Sequence, residues 1–200
     1  MEAEQTNATD MSGQRRVITV LFADLRRFTS YAERRDPVSL LATVNSYLTI
    51  AADSVLHYGG MLDKFMGDAA MALFNAREPQ PDHAMRAIKA ALYIQERMAF
   101  FNSQVAPALQ FGIGISTGEA VVGNVGTPTI HNYTALGDTV NVAARLESKA
   151  KGGEILLGGE TYRLVSHWFA AEPVGLLTVR GRRSKIEGYR LTKLSDYPIK

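Results

Sequence analysis

The sequence predicts an α+β fold whose core follows the ferredoxin-like split βαβ order, βαββαβ, with strands and helices added on its C-terminal side. Three observations carry that prediction. An almost unbroken apolar, β-branched run, "VITVLFA", stops abruptly at Asp24. The stretch "GGMLDKFMGDAAMALF" has the glycine punctuation of a strand, a turn and a second strand. On either side of that hairpin lies a long segment with apolar residues at helical spacing.

Taken in order, "MEAEQTNATDMSGQ" has no apolar periodicity, and residues 1–14 are expected to form a disordered tail or a linker remnant. The ordered domain is expected over residues 15–194, with a short tail at 195–200. The first strand, from Arg15, is apolar enough to be covered on both faces. "FTSYAERR" leads into a helix that Asp36 and Pro37 open, that Leu41, Val44, Leu48, Ala51 and Val55 stripe, and that Gly59 stops. After the hairpin, "PDHAMRAIKAALYIQERMAFFNSQV" repeats the amphipathic pattern, and "LQFGIGISTG" returns to strand. Further strands are expected at Ala120 to Val125, at Ile155 to Gly158 and on both sides of "RGRRSK". A short helix is expected at "DTVNVAARLESKA", with Asp138 as its cap.

Bulk composition narrows the possibilities. The chain has 200 residues, 46% hydrophobic and 21% charged, which is ordinary for one well-buried globular domain. With 22 basic and 20 acidic side chains, the net charge of +2 does not point to nucleic acid. Cysteine is absent, which excludes disulfides, thiolate metal sites and cysteine nucleophiles and fits a reducing compartment. No apolar run approaches the length of a membrane span and the polar N-terminus lacks a signal-peptide core, so a cytoplasmic domain, or the cytosolic piece of a larger protein, is expected.

The hairpin raises the chemical question, because it carries Asp63, Lys64 and Asp68 inside an apolar run. In the split βαβ order the first strand and the hairpin are neighbours, so Asp24 and Asp68 can converge. Two carboxylates in a largely apolar setting repel unless a cation lies between them. Oxygen-only ligation with few carboxylates suits Mg²⁺ or Mn²⁺. The turn "DLRRFTSY" can offer backbone amides to phosphate oxygens. Asn141 and Arg145, four apart, share one helix face. The basic loop from Arg180 to Lys185 adds positive charge. Together these features suggest a nucleoside triphosphate site.

In order and spacing, "FADLRRFTSY", "GGMLDKFMGDAAMALF", "GIGISTGEAVVGNVG" and "NYTALGDTVNVAARLESKA" resemble the catalytic domain of class III adenylyl cyclases, over about Arg15 to Leu194. The resemblance implies a head-to-tail homodimer with composite sites that convert ATP to 3′,5′-cyclic AMP and pyrophosphate. It implies two divalent cations, Mg²⁺ or Mn²⁺, held by Asp24, Asp68 and the Leu25 carbonyl, with the amides of Phe28 and Thr29 along the triphosphate. From the partner subunit it implies Lys64 and Thr134 at the adenine, Asn141 at the ribose and Arg145 at the α-phosphate. Lys64 as donor and Thr134 as acceptor suit adenine N1 and N6, whereas the related guanylyl cyclases place Glu and Cys there. Thr134, where other members carry Asp, marks the bacterial-type subgroup. Two positions depart from the family: Arg27 replaces a usual Gly, and Arg180 replaces the usual Lys of the late triphosphate contact. Such domains commonly sit behind a sensory module.

Other readings fit less well. "GISTG" matches the serine-hydrolase pattern, with Asp138 and His167 following, but the strand-like residues after Gly118 oppose the strand, elbow and helix which that motif needs. The diguanylate cyclase hairpin would read Gly-Gly-Asp-Glu-Phe, and "KFMGDA" does not. A catalytically silent domain that dimerises or binds nucleotide for regulation is the competitor from a different class.

Overall fold

The computed structural model describes residues 11–33, 35–105, 108–178 and 185–192. Thirteen elements follow one another: β1 (Gly13–Arg26), α1 (Phe28–Ala32), α2 (Pro37–His57), β2 (Met61–Met66), β3 (Ala69–Phe74), α3 (His83–Asn102), β4 (Gln110–Gly126), β5 (His131–Leu136), α4 (Asp138–Lys149), β6 (Ile155–Gly158), α5 (Gly159–Val165), β7 (Ala170–Leu177) and β8 (Ile186–Thr192). The expected tail lies outside the described residues as far as residue 10, and β1 begins at Gly13. The expected C-terminal tail and most of the basic loop, including Arg180, also lie outside them.

The βαββαβ core forms as its pattern requires. The sheet order is β2-β3-β1-β4-β6-β8-β7, with β5 paired to β4. Alternation along β1 explains its double apolar content: Leu21, Ala23 and Leu25 join a core with α2, α3 and α5, while Ile18, Val20 and Phe22 join a second core on the opposite face. Helices α2 and α3 share one face, and α4 takes the other. In α2 the side chain of Asp36 accepts from the Ser39 amide and Pro37 opens the first turn. Val44, Leu48, Ala51 and Val55 are buried, but Leu41 stays 62% exposed, since burial of the helix begins only at Val44. By length and mean hydropathy α2 could cross a membrane, which the short apolar runs did not suggest; here its apolar stripe is used in the core.

Several expectations need correction. The two strands expected on either side of Gly118 are one 17-residue strand, β4. It persists because β1 pairs with it continuously from Gly13↔Gly123 to Arg26↔Gln110. β5 and α5 were not anticipated; β5 is a short polar strand recruited by the end of β4, from Val121↔Leu136 to Gly126↔His131. The N-cap of α4 is Gly137, at φ 147, and Asp138 is the first helical residue, where its charge still favours the positive helix end.

Glycines on β4 set the height of α4 above the sheet. A Cβ at Gly114 would lie 2.1 Å from the Glu147 backbone nitrogen and 2.4 Å from the Ala143 carbonyl oxygen. A Cβ at Gly112 would strike the guanidinium of Arg26. The alternate glycines of "GIGISTG" are therefore packing residues, and Phe111, Ile113 and Ile115 between them fill the other face.

A polar seam crosses the core. His83 Nδ1 is hydrogen-bonded to Thr19 Oγ1 at 2.7 Å, Thr19 Oγ1 to Thr117 Oγ1 at 2.8 Å, and Thr161 Oγ1 donates to Thr117 Oγ1 at 3.0 Å. Burial holds the His83 pKa below 6.5, against a smaller upward pull from Asp82. Neutral His83 is thus favoured by folding; its contribution is complete above about pH 6.5 and is lost as pH falls through that value toward the lower folded-state pKa.

Two outcomes follow from this packing. Gly114→Ala is expected to lower unfolding free energy by about 3 kcal/mol, because only backbone could yield to the new methyl group; urea denaturation measures it. Between about pH 7.5 and 5.5 the wild-type protein should lose more stability than His83→Gln, which has no titratable group at position 83; equal pH slopes in urea unfolding would refute the assignment.

Candidate active site

Asp24, partly buried near the end of β1, pairs with Ala69, the first residue of β3, so Asp68 in the turn stands beside it. Gly67, at φ 66, supplies the left-handed residue which that turn needs. The Leu25 amide donates to the Asp68 carbonyl at 3.4 Å, tying the turn to β1. Burial raises the pKa of both carboxyls. For Asp24, Arg26 opposes that rise and the Asp68 charge adds to it; for Asp68, its own backbone amide and then Arg26 oppose it. The two acids the sequence nominated are therefore brought together, in surroundings that resist their ionisation.

Two residues missing from the sequence reading complete this cluster. Arg26 follows Asp24 by two positions, so strand alternation puts both on the α4 face; that spacing was the available signal. Its Nη1 donates to Asp24 Oδ1 at 2.6 Å, its Nε donates to the Ala150 carbonyl at 2.9 Å, and its Nη2 meets both the carboxylate and the backbone carbonyl of Glu147. Glu147 is partly buried, and burial lifts its pKa against the downward pull of Arg26, with Asp24 and Asp68 adding upward pushes. No local pattern marks Glu147; only the packing of α4 on the glycines of β4 brings it here.

Among the described residues no three His, Cys, Asp or Glu side chains gather as a metal cage. Asp24, Asp68 and the Leu25 backbone nonetheless form an oxygen-only donor set with two juxtaposed acids. That set fits a divalent cation of the Mg²⁺ or Mn²⁺ type, whose remaining positions are filled by water and phosphate oxygens.

Lys64 and Thr134 also meet. Lys64 Nζ donates to Thr134 Oγ1 at 3.4 Å, and Thr134 is only 4% exposed. A register shift in β2 between Leu62 and Lys64 surrounds Asp63. The Asp63 side chain is fully buried with no hydrogen-bond donor on either oxygen; Lys64 Nζ, 3.1 Å away, serves it as a counter-charge without hydrogen-bond geometry. The hairpin links this pair to the carboxylates: Lys64 precedes Asp68 by four residues, and its β3 partner Met71 pairs with Phe22, two positions before Asp24. On β4, Gly112 is the neighbour of Asp24 and Gly123 the neighbour of Thr134, eleven positions further along. Thr134 is attached to β4 far along the strand from Asp24, yet it reaches Lys64 because β5 approaches the β2–β3 hairpin side, where the Tyr133 hydroxyl also donates to the Ala76 carbonyl.

Asn141 and Arg145 are both exposed on α4, one turn apart, and Arg145 Nε donates to the Thr178 carbonyl at 2.9 Å. Phe28 packs against the larger core, while Thr29 is exposed at the start of α1. Arg27 adopts φ 64 and ψ 15, the left-handed region, as the residue before α1. Its conformation gives the physical reason why glycine suits this turn. Arg180 lies outside the described residues. A cavity of about 910 Å³ opens elsewhere, among Ser116, Asp138, Tyr162, Lys185 and Tyr189, and of the residues nominated for the nucleotide site only Lys185, at the end of the basic loop, lines it. Ser116 sits within β4, so its motif lacks the elbow and helix of a serine hydrolase.

Comparison with known proteins gives a consistent picture. Residues 11–193 match the family model of the adenylate and guanylate cyclase catalytic domain. The chain is 34% identical to adenylate cyclase 1 of Rhizobium meliloti over 183 residues, 88% of this chain but 28% of that protein. It spans less than a third of that relative's length. Among solved structures, the adenylyl cyclase CyaB from P. aeruginosa superposes with a TM-score of 0.85 at 32% identity, covering 92% of this chain and 98% of that one. The guanylyl cyclase Cya2 superposes with a TM-score of 0.87 at 34% identity, covering 93% and 96%. Neighbours with either base in their names share this backbone, so fold alone does not separate ATP from GTP.

Relieving the left-handed strain gives a direct test of the Arg27 turn. Arg27→Gly should raise unfolding free energy by about 1 kcal/mol, read from urea denaturation, because the side chain is exposed and only its backbone conformation is unfavourable.

Proposed function

Starting from the membership of this chain in the adenylate and guanylate cyclase catalytic domain family, we propose that it is an adenylate cyclase converting ATP to 3′,5′-cyclic AMP and pyrophosphate at composite sites of a head-to-tail homodimer. The observation that carries the reading is that the polar residues of one chain form two distinct groups: Asp24 with Asp68 at the β1–β3 junction, and Lys64 bonded across to Thr134 of β5. Two copies in opposed orientation would bring unlike clusters together. Exposed apolar side chains support such pairing, with Phe65 and Met66 at the hairpin tip and Val121, Val125 and Leu136 on β4 and β5.

In this reading Asp24, Asp68 and the Leu25 carbonyl of one subunit hold two divalent cations, Mg²⁺ or Mn²⁺. Such a pair lowers the pKa of the ribose 3′-hydroxyl for attack on the α-phosphorus and neutralises the departing pyrophosphate. The backbone amides of Phe28 and Thr29 lie along the triphosphate, and Arg180 reaches it from the basic loop. From the other subunit, Lys64 donates to adenine N1 and Thr134 accepts from N6. Asn141 orients the ribose. Arg145, planar and permanently charged, meets the charge that develops on the α-phosphoryl oxygens. The assignment of ATP over GTP rests on Lys64 and Thr134, since guanine presents the reverse pattern at its edge.

The N-terminal side is where a sensory module would attach, and the reaction is placed in the cytosol, where ATP is abundant. The left-handed Arg27 favours one rival: a catalytically silent member of the family that dimerises or binds nucleotide.

The deciding experiment is complementation. With ATP and Mn²⁺ the wild-type protein should make cyclic AMP, and Asp24→Ala or Arg145→Ala alone should make almost none. Mixed in equal amounts, half the dimers are heterodimers and each has one intact site of two, so activity should return to roughly a quarter of wild type. No recovery at equal expression rules out shared sites, and no cyclic AMP from the wild type leaves the silent module.

A further inference from the structure

Asp24 already has a partner in the folded chain. Arg26 Nη1 donates to its Oδ1 at 2.6 Å, and the same guanidinium is gripped from behind by α4, through the Ala150 carbonyl at 2.9 Å and the carbonyl and carboxylate of Glu147. Arg26 and Glu147 are mostly buried, with side chains 23% and 15% exposed. The guanidinium occupies a slot that exists because residue 112 is glycine. Three acids, Asp24, Asp68 and Glu147, thus share this one cation.

We propose that Arg26 is the resident counter-cation of Asp24, and that Glu147, by holding the far side of the Arg26 guanidinium, sets how readily Asp24 is released to a divalent cation. The proposal rests on the metal-ligand reading of Asp24 given above and extends it to two positioning residues. The physical argument is competition for one carboxylate. A guanidinium hydrogen-bonded to Asp24 must loosen its grip, or share it, before a divalent ion can bind there, and like charges at that distance repel. Glu147 draws the same guanidinium toward α4 and offsets its charge, so it weakens the competitor. The two residues therefore act on metal affinity with opposite signs. A second consequence concerns α4 itself, whose C-terminal carbonyls are anchored by Arg26. Loss of that anchor loosens the helix that presents Asn141 and Arg145, so turnover falls even where metal binds more tightly.

The test uses the nucleotide-free protein and Mn²⁺ alone, titrated at fixed neutral pH with free Mn²⁺ read by electron paramagnetic resonance. Arg26→Gln is expected to bind Mn²⁺ roughly tenfold more tightly than wild type, and Glu147→Gln several-fold more weakly. Arg26→Lys, which keeps a cation beside Asp24, should stay near wild type. In the cyclic AMP assay Arg26→Gln should lose turnover despite its tighter metal. Asp24→Asn is the control that separates failures: if it leaves Mn²⁺ binding unchanged, the metal reading falls and this proposal with it. If Asp24→Asn weakens binding while Arg26→Gln and Glu147→Gln shift affinity in the same direction or not at all, only the counter-cation proposal is overturned. Should Arg26→Gln fail to fold, Glu147→Gln, which retains the bond from Arg26 to Ala150, decides alone: unchanged or tighter Mn²⁺ binding refutes the proposal.

Discussion

The architecture depends on how closely α4 can lie on β4. Backbone atoms of Ala143 and Glu147 occupy the space that a side chain at residue 114 would fill, and Arg26 fills the space beside residue 112. Glycine at these alternate positions turns one face of a central strand into a shallow bed for a helix. Everything else about the candidate site follows from that depth. It lets Val142 and Leu146 pack towards β6 and β8, leaves Asn141 and Arg145 exposed, and brings the last turn of α4 within reach of a side chain on β1.

Electrostatics at the same junction run against folding. Burial raises the pKa of Asp24, Asp68 and Glu147, so each is harder to ionise here than in water. A protein selected for stability alone would have little use for this arrangement, and local conflict of this kind is a mark of functional sites. Arg26 relieves part of it. Its position at the C-terminal carbonyls of α4 adds a favourable interaction with the negative end of the helix. In the proposed reading, a divalent ion with a triphosphate would relieve the remainder.

The polar residues of the candidate site fall into two groups. Lys64 meets Thr134 because the hairpin and β5 approach each other, and Asp24 and Asp68 meet at the β1–β3 junction. Exposed apolar residues on the hairpin and on β4 and β5 offer surface for a second copy.

Much of this was legible from local pattern. The double-sided apolar run of β1, the glycine at the hairpin turn, the Asp36 and Pro37 start of α2 and the juxtaposition of Asp24 and Asp68 all follow from short-range rules of alternation, capping and neighbouring strands. The continuity of β4 through Gly118, the existence of β5, the exposure of Leu41 and the roles of Arg26 and Glu147 did not. Each depends on a partner far away in sequence: β1 holds β4 straight, β4 recruits β5, and α4 meets Arg26 only after the sheet has formed. The sequence by itself determined which residues carry charge and which turns need glycine, because those are properties of single side chains and dihedral angles. Only the tertiary structure decided which charges share a cation, because that is set by the distance between elements, and distance here depends on the atoms missing from two glycines.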